Sequence, residues 1–262
     1  MPMITSRNCK YSCDYCVSGN IGTQFRKRSN ENIIEEVLYL RDNFGITDII
    51  FYDDCFFCNP KTSNKDVEDF CNLLLEHDVG VTWQIELRTD LLLSLTDDSL
   101  KLLEQTGCRQ INLGIENMRN ESLASLGKTS SIAGLKEKNR HIAKMYNIKI
   151  TATFILGGLN EDENTVRQLI ADSKELSLSQ AHFNPLFLYP GTKIYEECGF
   201  HIRDWYGLII KDTMPWGEIV YESKELPLEK LLGLLELAYT NFYGKSSKTN
   251  TNPYSNRYNV RR

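Results

Sequence analysis

Cys9, Cys13 and Cys16 fall within one eight-residue stretch, Cys9-Lys10-Tyr11-Ser12-Cys13-Asp14-Tyr15-Cys16. Three thiolates separated by three and then two residues can wrap one face of a compact metal centre. A [4Fe–4S] cube has four irons to ligate, so three local thiolates leave one iron open, and an open metal position is where chemistry rather than scaffolding happens. The ferredoxin run differs, with cysteines separated by two, two and three residues and a fourth supplied. A structural zinc site is the second reading; Cys55 or Cys58 could supply its fourth ligand, although zinc sites usually come as two pairs rather than a tight triplet. A disulfide framework is the poorest fit, because no secretory leader precedes the cysteines and the chain is long enough to build a core without staples.

The elements that must hold such a loop come next. At 262 residues the chain suits one large domain, a size that α/β barrels reach undivided. Hydrophobic residues at 41% and charged residues at 25% describe an ordinary globular protein, and no apolar run approaches the ~20 residues that span a bilayer. Eight cysteines with no leader point to a reducing cytoplasm, and no membrane partner is expected. A net charge of −5 argues against a broad nucleic-acid footprint. The end of the chain is different: Lys245, Lys248, Arg257, Arg261 and Arg262 occur with no acidic residue, and Ser, Thr and Asn replace any apolar period. A solvated, disordered tail is expected there.

Short apolar strands alternate with amphipathic helices. The strands are expected near Met3–Ser6, Thr47–Tyr52, Val81–Leu87, Arg109–Ile115, Lys149–Leu156 and Gln180–Leu186. Helical patterns lie between them: Ile33, Ile34, Val37, Leu38, Leu40 and Phe44 closed by Gly45, then Val67, Phe70, Cys71, Leu74 and Leu75. Thr96 is placed to cap a third helix that Gly107 ends, and Val166, Leu169, Ile170 and Leu176 mark a later one. Six strand–helix units in a row imply a parallel sheet with right-handed crossovers, too few for a closed eight-stranded barrel. The expected architecture is a partial (β/α)6 TIM-like barrel with parallel strands over 1–199, a C-terminal helical cover over 200–243 ending in a helix at Leu228–Tyr243, and a basic tail over 244–262.

Buried parallel strands usually read as unbroken apolar runs, yet these alternate. The fourth sets Gln110, Asn112, Gly114 and Glu116 opposite Ile111, Leu113 and Ile115; the third sets Gln84, Glu86 and Arg88 opposite Trp83, Ile85 and Leu87. Thr151 and Thr153 continue the polar face on the fifth, His182 and Asn184 on the sixth. An antiparallel sheet with one wet face would show the same alternation, but the intervening helices argue against it. With helices on the apolar faces, the polar faces point into the barrel, where each unpartnered group costs ~1–3 kcal/mol. A polar ligand or ordered water is therefore expected in the lumen, and Gln84, Asn112, Thr153, His182 and Asn184 are its candidate substrate contacts.

Catalytic groups in barrels collect beyond the carboxyl ends of strands. Here those ends carry the cysteine loop, Asp53 and Asp54, Arg88, Glu116, Gly157 and Gly158, and the Tyr189-Pro190-Gly191-Thr192 turn. Each is weak alone; six in succession beside a metal loop are not. On these residues the chain resembles the radical S-adenosylmethionine (SAM) family from about Met3 to Tyr243. The most specific match is Thr5-Ser6-Arg7-Asn8-Cys9-Lys10-Tyr11-Ser12-Cys13-Asp14-Tyr15-Cys16; Phe51-Tyr52-Asp53-Asp54, Gly114-Ile115-Glu116, Ile155-Leu156-Gly157 and Pro190-Gly191-Thr192 support it. The Ser-Arg before the first cysteine, the Asp pair and the stretch with Trp216 are most similar to the cobalamin-associated branch.

The resemblance implies that Cys9, Cys13 and Cys16 hold a [4Fe–4S] cluster whose open iron is chelated by SAM, and that a reductant such as a flavodoxin or ferredoxin drives cleavage to a 5′-deoxyadenosyl radical. It places Tyr15 near adenine, Asp53 and Asp54 at the methionyl ammonium, Arg88 and Glu116 near the carboxylate and ribose, and the backbone of Ile155 and Gly157 beside adenine. The substrate would be a polar small molecule or peptide. Asn8 stands where the pattern has Gly and Lys10 where it has Pro; Asn tolerates the backbone angles the loop needs. The cobalamin-binding domain that normally precedes this barrel is not seen in the sequence, so either this is a fragment, or a partner supplies cobalamin, or the protein does other radical chemistry. Cys55 and Cys58 lie outside the pattern, either as hydrogen-transfer thiols or ligands at the rim, or as inert thiols among Phe56 and Phe57. Cys71 and Cys108 read as core, and His77, His141 and His201 as surface or loop. Rival readings are a tRNA methylthiotransferase, for which no RNA-binding module is visible, and a non-catalytic zinc- or cluster-binding subunit.

Overall fold

The computed structural model describes residues 1–20, 24–129, 131–199 and 220–244. Trp216, His201, the first part of the expected cover (200–219) and the basic tail from Lys245 lie outside the described residues. The chain runs β1 (Pro2–Met3), β2 (Ser6–Arg7), β3 (Arg26–Lys27), α1 (Asn30–Phe44), β4 (Asp48–Phe51), α2 (Ser63–Glu76), β5 (Thr82–Arg88), α3 (Thr89–Ser94), α4 (Asp97–Gln105) and β6 (Cys108–Glu116). It continues through α5 (Asn120–Ser125), α6 (Leu135–Met145), β7 (Lys149–Leu156), α7 (Glu163–Lys174), β8 (Gln180–Pro185), α8 (Lys193–Glu197) and α9 (Leu228–Tyr243). Strands β1, β4, β5, β6, β7 and β8 form one six-stranded parallel sheet in chain order, which is the expected partial α/β barrel. β1 and β8 are its two edges.

Local chemistry explains the element ends. Ser29 caps α1 by accepting from the Asn32 amide at 3.2 Å, and Gly45 closes it in the left-handed region, its amide donating to Arg41 O at 2.9 Å. Thr96 Oγ1 accepts from the Ser99 amide at 3.3 Å to start α4. The apolar face of the sheet and the inner faces of the helices bury one continuous core. Phe51, Phe56, Phe70 and Trp83 meet there at ring-centroid distances from 4.9 to 6.4 Å, and the Trp83 indole donates to Thr106 O at 2.8 Å.

The first strand departs from expectation. It ends at Met3 rather than Ser6, and Ser6–Arg7 instead pairs antiparallel with Arg26–Lys27. The amides of Thr5 and Ser6 donate to the Asp53 carboxylate, at 2.9 and 2.6 Å, rather than to a neighbouring strand. A side-chain acceptor thus ends the ladder early and turns the chain into the cysteine loop.

The open edge at β8 is closed by α9. Tyr243 Oη accepts from Ala181 N and donates to Ala181 O, both at 2.9 Å; Tyr239 Oη does the same at Phe183, at 3.2 and 3.3 Å. Two phenols therefore stand in for a seventh strand. Leu231 on the same helix fills the space where a Cβ on Gly157 would sit, 2.9 Å away, so the helix packs against the turn after β7.

Candidate active site at the strand ends

The cysteine loop is held from several directions. Asn8 adopts φ 63°, the left-handed conformation that admits Asn at this turn. The Asn20 side-chain amide donates to Cys13 O at 3.0 Å and Cys16 O at 2.6 Å, and the Asp14 amide donates to Leu126 O at 2.9 Å. Lys193 Nζ, 2.8 Å from Asp14 Oδ2, ties the loop to α8 across the barrel mouth.

All three cysteines line one cavity of about 550 Å³ at the carboxyl ends of the strands. Tyr15, Asp54, Arg88, Glu116 and Ile155 line the same cavity, as do Thr153 and Asn184 from the set of candidate substrate contacts. That volume is typical of sites for ligands of cofactor size. Among the described residues, no group of three or more His, Cys, Asp and Glu converges as it would to hold a single ion. A cube takes its three thiolates on three separate irons, so it does not demand that convergence.

Two buried cations, Arg88 and Lys128, stand beside the cysteine loop. Arg88 is buried; its guanidinium donates to Cys13 Sγ at 3.6 Å and to Thr129 O at 3.0 Å, pairs with Asp90 at 3.0 Å, and stacks 3.8 Å above the Tyr11 ring. Lys128 is also buried and places its ammonium 2.8 Å from both Glu116 Oε1 and Gly114 O. Burial raises the Cys13 thiol, and the Lys128 and Arg88 charges oppose that rise. Burial likewise pushes Cys9 up to about 11. The Tyr11 hydroxyl is buried with no partner among the described residues, a polar atom left for a bound group. Glu116 itself sits at φ 63°, and a Cβ on Gly114 would lie 2.7 Å from Glu116 Oε1; glycine there makes room for the Lys128–Glu116 pair. The residues present fit a [4Fe–4S] cluster with a ligand beside it.

Several placements differ from the sequence reading. Asp53 is buried and saturated: besides the two amides, Thr5 Oγ1 and Ser6 Oγ donate to it at 2.6 and 3.0 Å. It is a structural clamp behind the loop, and Asp54, exposed and accepting from Ser18 Oγ at 2.7 Å, is the carboxylate that faces the cavity. Gly157 does not line the cavity; its amide donates to Glu161 Oε2 at 2.9 Å and its φ of 77° serves the turn. Gln84, Asn112 and His182 also lie off the cavity wall. Asn112 instead joins a network, donating to Glu86 Oε1 at 3.0 Å while its oxygen accepts from Gln110 at 2.7 Å and from Thr151. Polar groups on the lumen face thus satisfy one another in part, which the sequence argument for an obligatory ligand left out.

Cys55 is buried within the aromatic core, and its thiol donates to Phe57 O at 3.1 Å; Cys58 donates to Cys55 O at 2.8 Å. A side-chain hydrogen bond from the Cys55 thiol, together with the Lys27 and Lys10 charges, holds Cys58 below its ordinary value, while Cys55 is raised and keeps its proton. Neither lines the cavity. The sequence reading missed three site residues. Glu86 was visible in the alternation and lines the cavity, with burial raising it to about 7. Tyr11 was hidden inside the loop motif. Lys128 gave no signal at all, since a lysine after a short helix reads as solvated.

A parallel partial barrel with a three-cysteine loop over a cavity at its strand ends defines a class of enzymes. The chain belongs to the Radical SAM superfamily, whose family model matches residues 3–172. That family uses a [4Fe–4S] cluster and SAM. Over 251 residues the chain is 28% identical to "Uncharacterized methyltransferase PH0819" of Pyrococcus horikoshii, covering 92% of this chain and 50% of that protein. It is 24% identical over 227 residues to anaerobic magnesium-protoporphyrin IX monomethyl ester cyclase of Rubrivivax gelatinosus, covering 82% of this chain and 39% of the cyclase. The fold matches that of the radical S-adenosylmethionine methyltransferase TsrM from Kitasatospora setae, solved with cobalamin and a [4Fe–4S] cluster bound, at TM-score 0.61 and 22% identity over 76% of this chain and 40% of that one. The chain spans about half, or less, of the length of these curated relatives. No helix among the described residues is long and apolar enough to cross a membrane.

Proposed function

We propose that this chain is the barrel of a radical SAM enzyme that holds its cluster through Cys9, Cys13 and Cys16 and abstracts hydrogen from a polar small molecule or peptide. The observation that carries this reading is the meeting of those three cysteines with Asp54, Tyr15, Glu116 and Ile155 around one cavity. When bound and reduced, a cluster held there would supply the electron for cleavage of SAM to methionine and a 5′-deoxyadenosyl radical. The chain's own residues bind and orient. Asp54 presents a carboxylate to the methionyl ammonium. Glu116, steadied by Lys128, would meet the ribose, and Tyr15 and Ile155 in the same cavity wall would flank adenine. Arg88 stands beside Cys13 and would lend positive charge to its thiolate and to the SAM carboxylate. Thr153 and Asn184 line the same cavity and would contact the substrate. The relatives named as methyltransferases support methyl transfer through cobalamin from another domain or partner as the outcome; a flavodoxin or ferredoxin would be the electron donor.

Anaerobic reconstitution tests the reading. The wild-type chain should take up about four irons and sulfides, and release 5′-deoxyadenosine when SAM and dithionite are added. Cys13→Ser should lose both, and stoichiometric zinc in place of iron would overturn the proposal.

A further inference from the structure

Two more cavities continue outward from the cysteine cavity. The first, about 580 Å³, shares Asp54 and Glu86 with it; the second, about 390 Å³, shares Ile4, Ser6, Arg7 and Arg26 with the first. We read these adjoining cavities, which share lining residues, as one groove from the cysteine loop to the β2–β3 ribbon. Its outer end carries four cations, Arg7, Arg26, Lys27 and Arg28. Two of them are engaged. The Lys27 ammonium sits 5.0 Å over the Phe56 ring, and Arg28 pairs with Glu36 at 2.5 Å while donating to Asn32 Oδ1 and Ile4 O.

Arg7 and Arg26 are exposed and have no side-chain partner among the described residues. They stand directly opposite each other in the antiparallel register, so both guanidinium groups share one face. Like charges in a cross-strand pair destabilise the ribbon unless a counter-charge bridges them. Asp53, Asp54 and Glu86 line the same cavity but turn to other donors, Asp53 to Thr5 and Ser6, Asp54 to Ser18 and Glu86 to Asn112, and among the described residues none forms an ion pair with either arginine. We propose that Arg7 and Arg26 anchor the anionic group, phosphate or carboxylate, of a small-molecule substrate whose reacting carbon extends along the groove into the cysteine cavity. Two guanidinium forks match the oxygens of such a group bidentately. This deepens, and rests on, the reading of that cavity as the reaction site.

The test is calorimetric titration of the anaerobic full-length chain at low salt with inorganic pyrophosphate and, separately, with succinate, which distinguishes the two anion types. At least one probe should bind saturably, and Arg26→Gln should weaken it by about tenfold or more, the change that losing a charge-assisted contact gives. Arg7→Gln should do the same but adjoins Cys9, so Arg26→Gln is the primary variant. Lys65→Gln, on an exposed turn of α2, should leave the affinity unchanged. Binding of neither probe, equal affinity in Arg26→Gln, or equal weakening in Lys65→Gln would overturn the proposal; so would tight binding of an oligoribonucleotide alone, which would mark a nucleic-acid surface. Cys13→Ser should keep its anion affinity, so failure of the cluster reading and failure of the arginine anchor give different results.

Discussion

Asp53 accepts four hydrogen bonds from Thr5 and Ser6, whereas its neighbour Asp54 is exposed and accepts one, from Ser18. Successive residues leave the end of a strand on opposite sides, so one carboxylate faces inward to clamp the chain and the other faces the cavity. Asp53→Ala would leave buried amides and hydroxyls without an acceptor and should cost about 2–4 kcal/mol, seen as a lower denaturation midpoint. Asp54→Ala should change that midpoint by no more than about 0.5 kcal/mol, yet weaken SAM binding measured by equilibrium dialysis. If the two variants behave alike, the division of labour is wrong. The Asp-Asp pair was legible in the sequence as a strand-end signal. Which member lines the cavity was not, because that depends on the turn of the backbone at Thr5 and Ser6.

At the scale of elements, α9 does more than cover the barrel. Tyr239 and Tyr243, four residues apart, point from one helix face at two alternate amides of β8. The spacing works because one helical turn advances 5.4 Å and two strand residues about 6.6 Å. Replacing both by Phe leaves two amides and two carbonyls of the edge unpaired. We expect Tyr239→Phe with Tyr243→Phe to cost about 2–4 kcal/mol and to raise the exchange rates of the Ala181 and Phe183 amides selectively, measured by hydrogen exchange. Unchanged protection at those amides would show that packing alone seals the edge. The sequence marked the helix at Leu228–Tyr243 from its apolar content, but its partner strand could not be read, since the residues that meet lie about sixty apart in the chain.

For the whole molecule, the consequence of a polar lumen is a pH-dependent stability. Burial raises Glu86 to about 7 from an unfolded value of 4.5. Below pH 4.5 both states hold the proton and there is no penalty. Between 4.5 and 7 the unfolded chain has released it while the folded chain keeps it, so raising the pH favours unfolding, by at most about 3 kcal/mol once both values are passed. Denaturant titrations should therefore show stability falling over that window, and Glu86→Gln should flatten the fall; a parallel slope in the variant would assign it to other groups. Periodicity and spacing determined a good deal by themselves: six strands alternating with helices, the run of functional groups at strand ends, and a cysteine triplet short enough to act as one unit. Those features are local, set by residues within a turn or two of each other. Only the tertiary structure decided that Lys128 lies against Glu116, that Arg88 braces Cys13, that Asn112 faces Glu86 rather than a ligand, and that a pair of arginines shares one face of the ribbon. Each of those depends on how strands register and where loops return, and chain separation hides such contacts from any reading of local pattern.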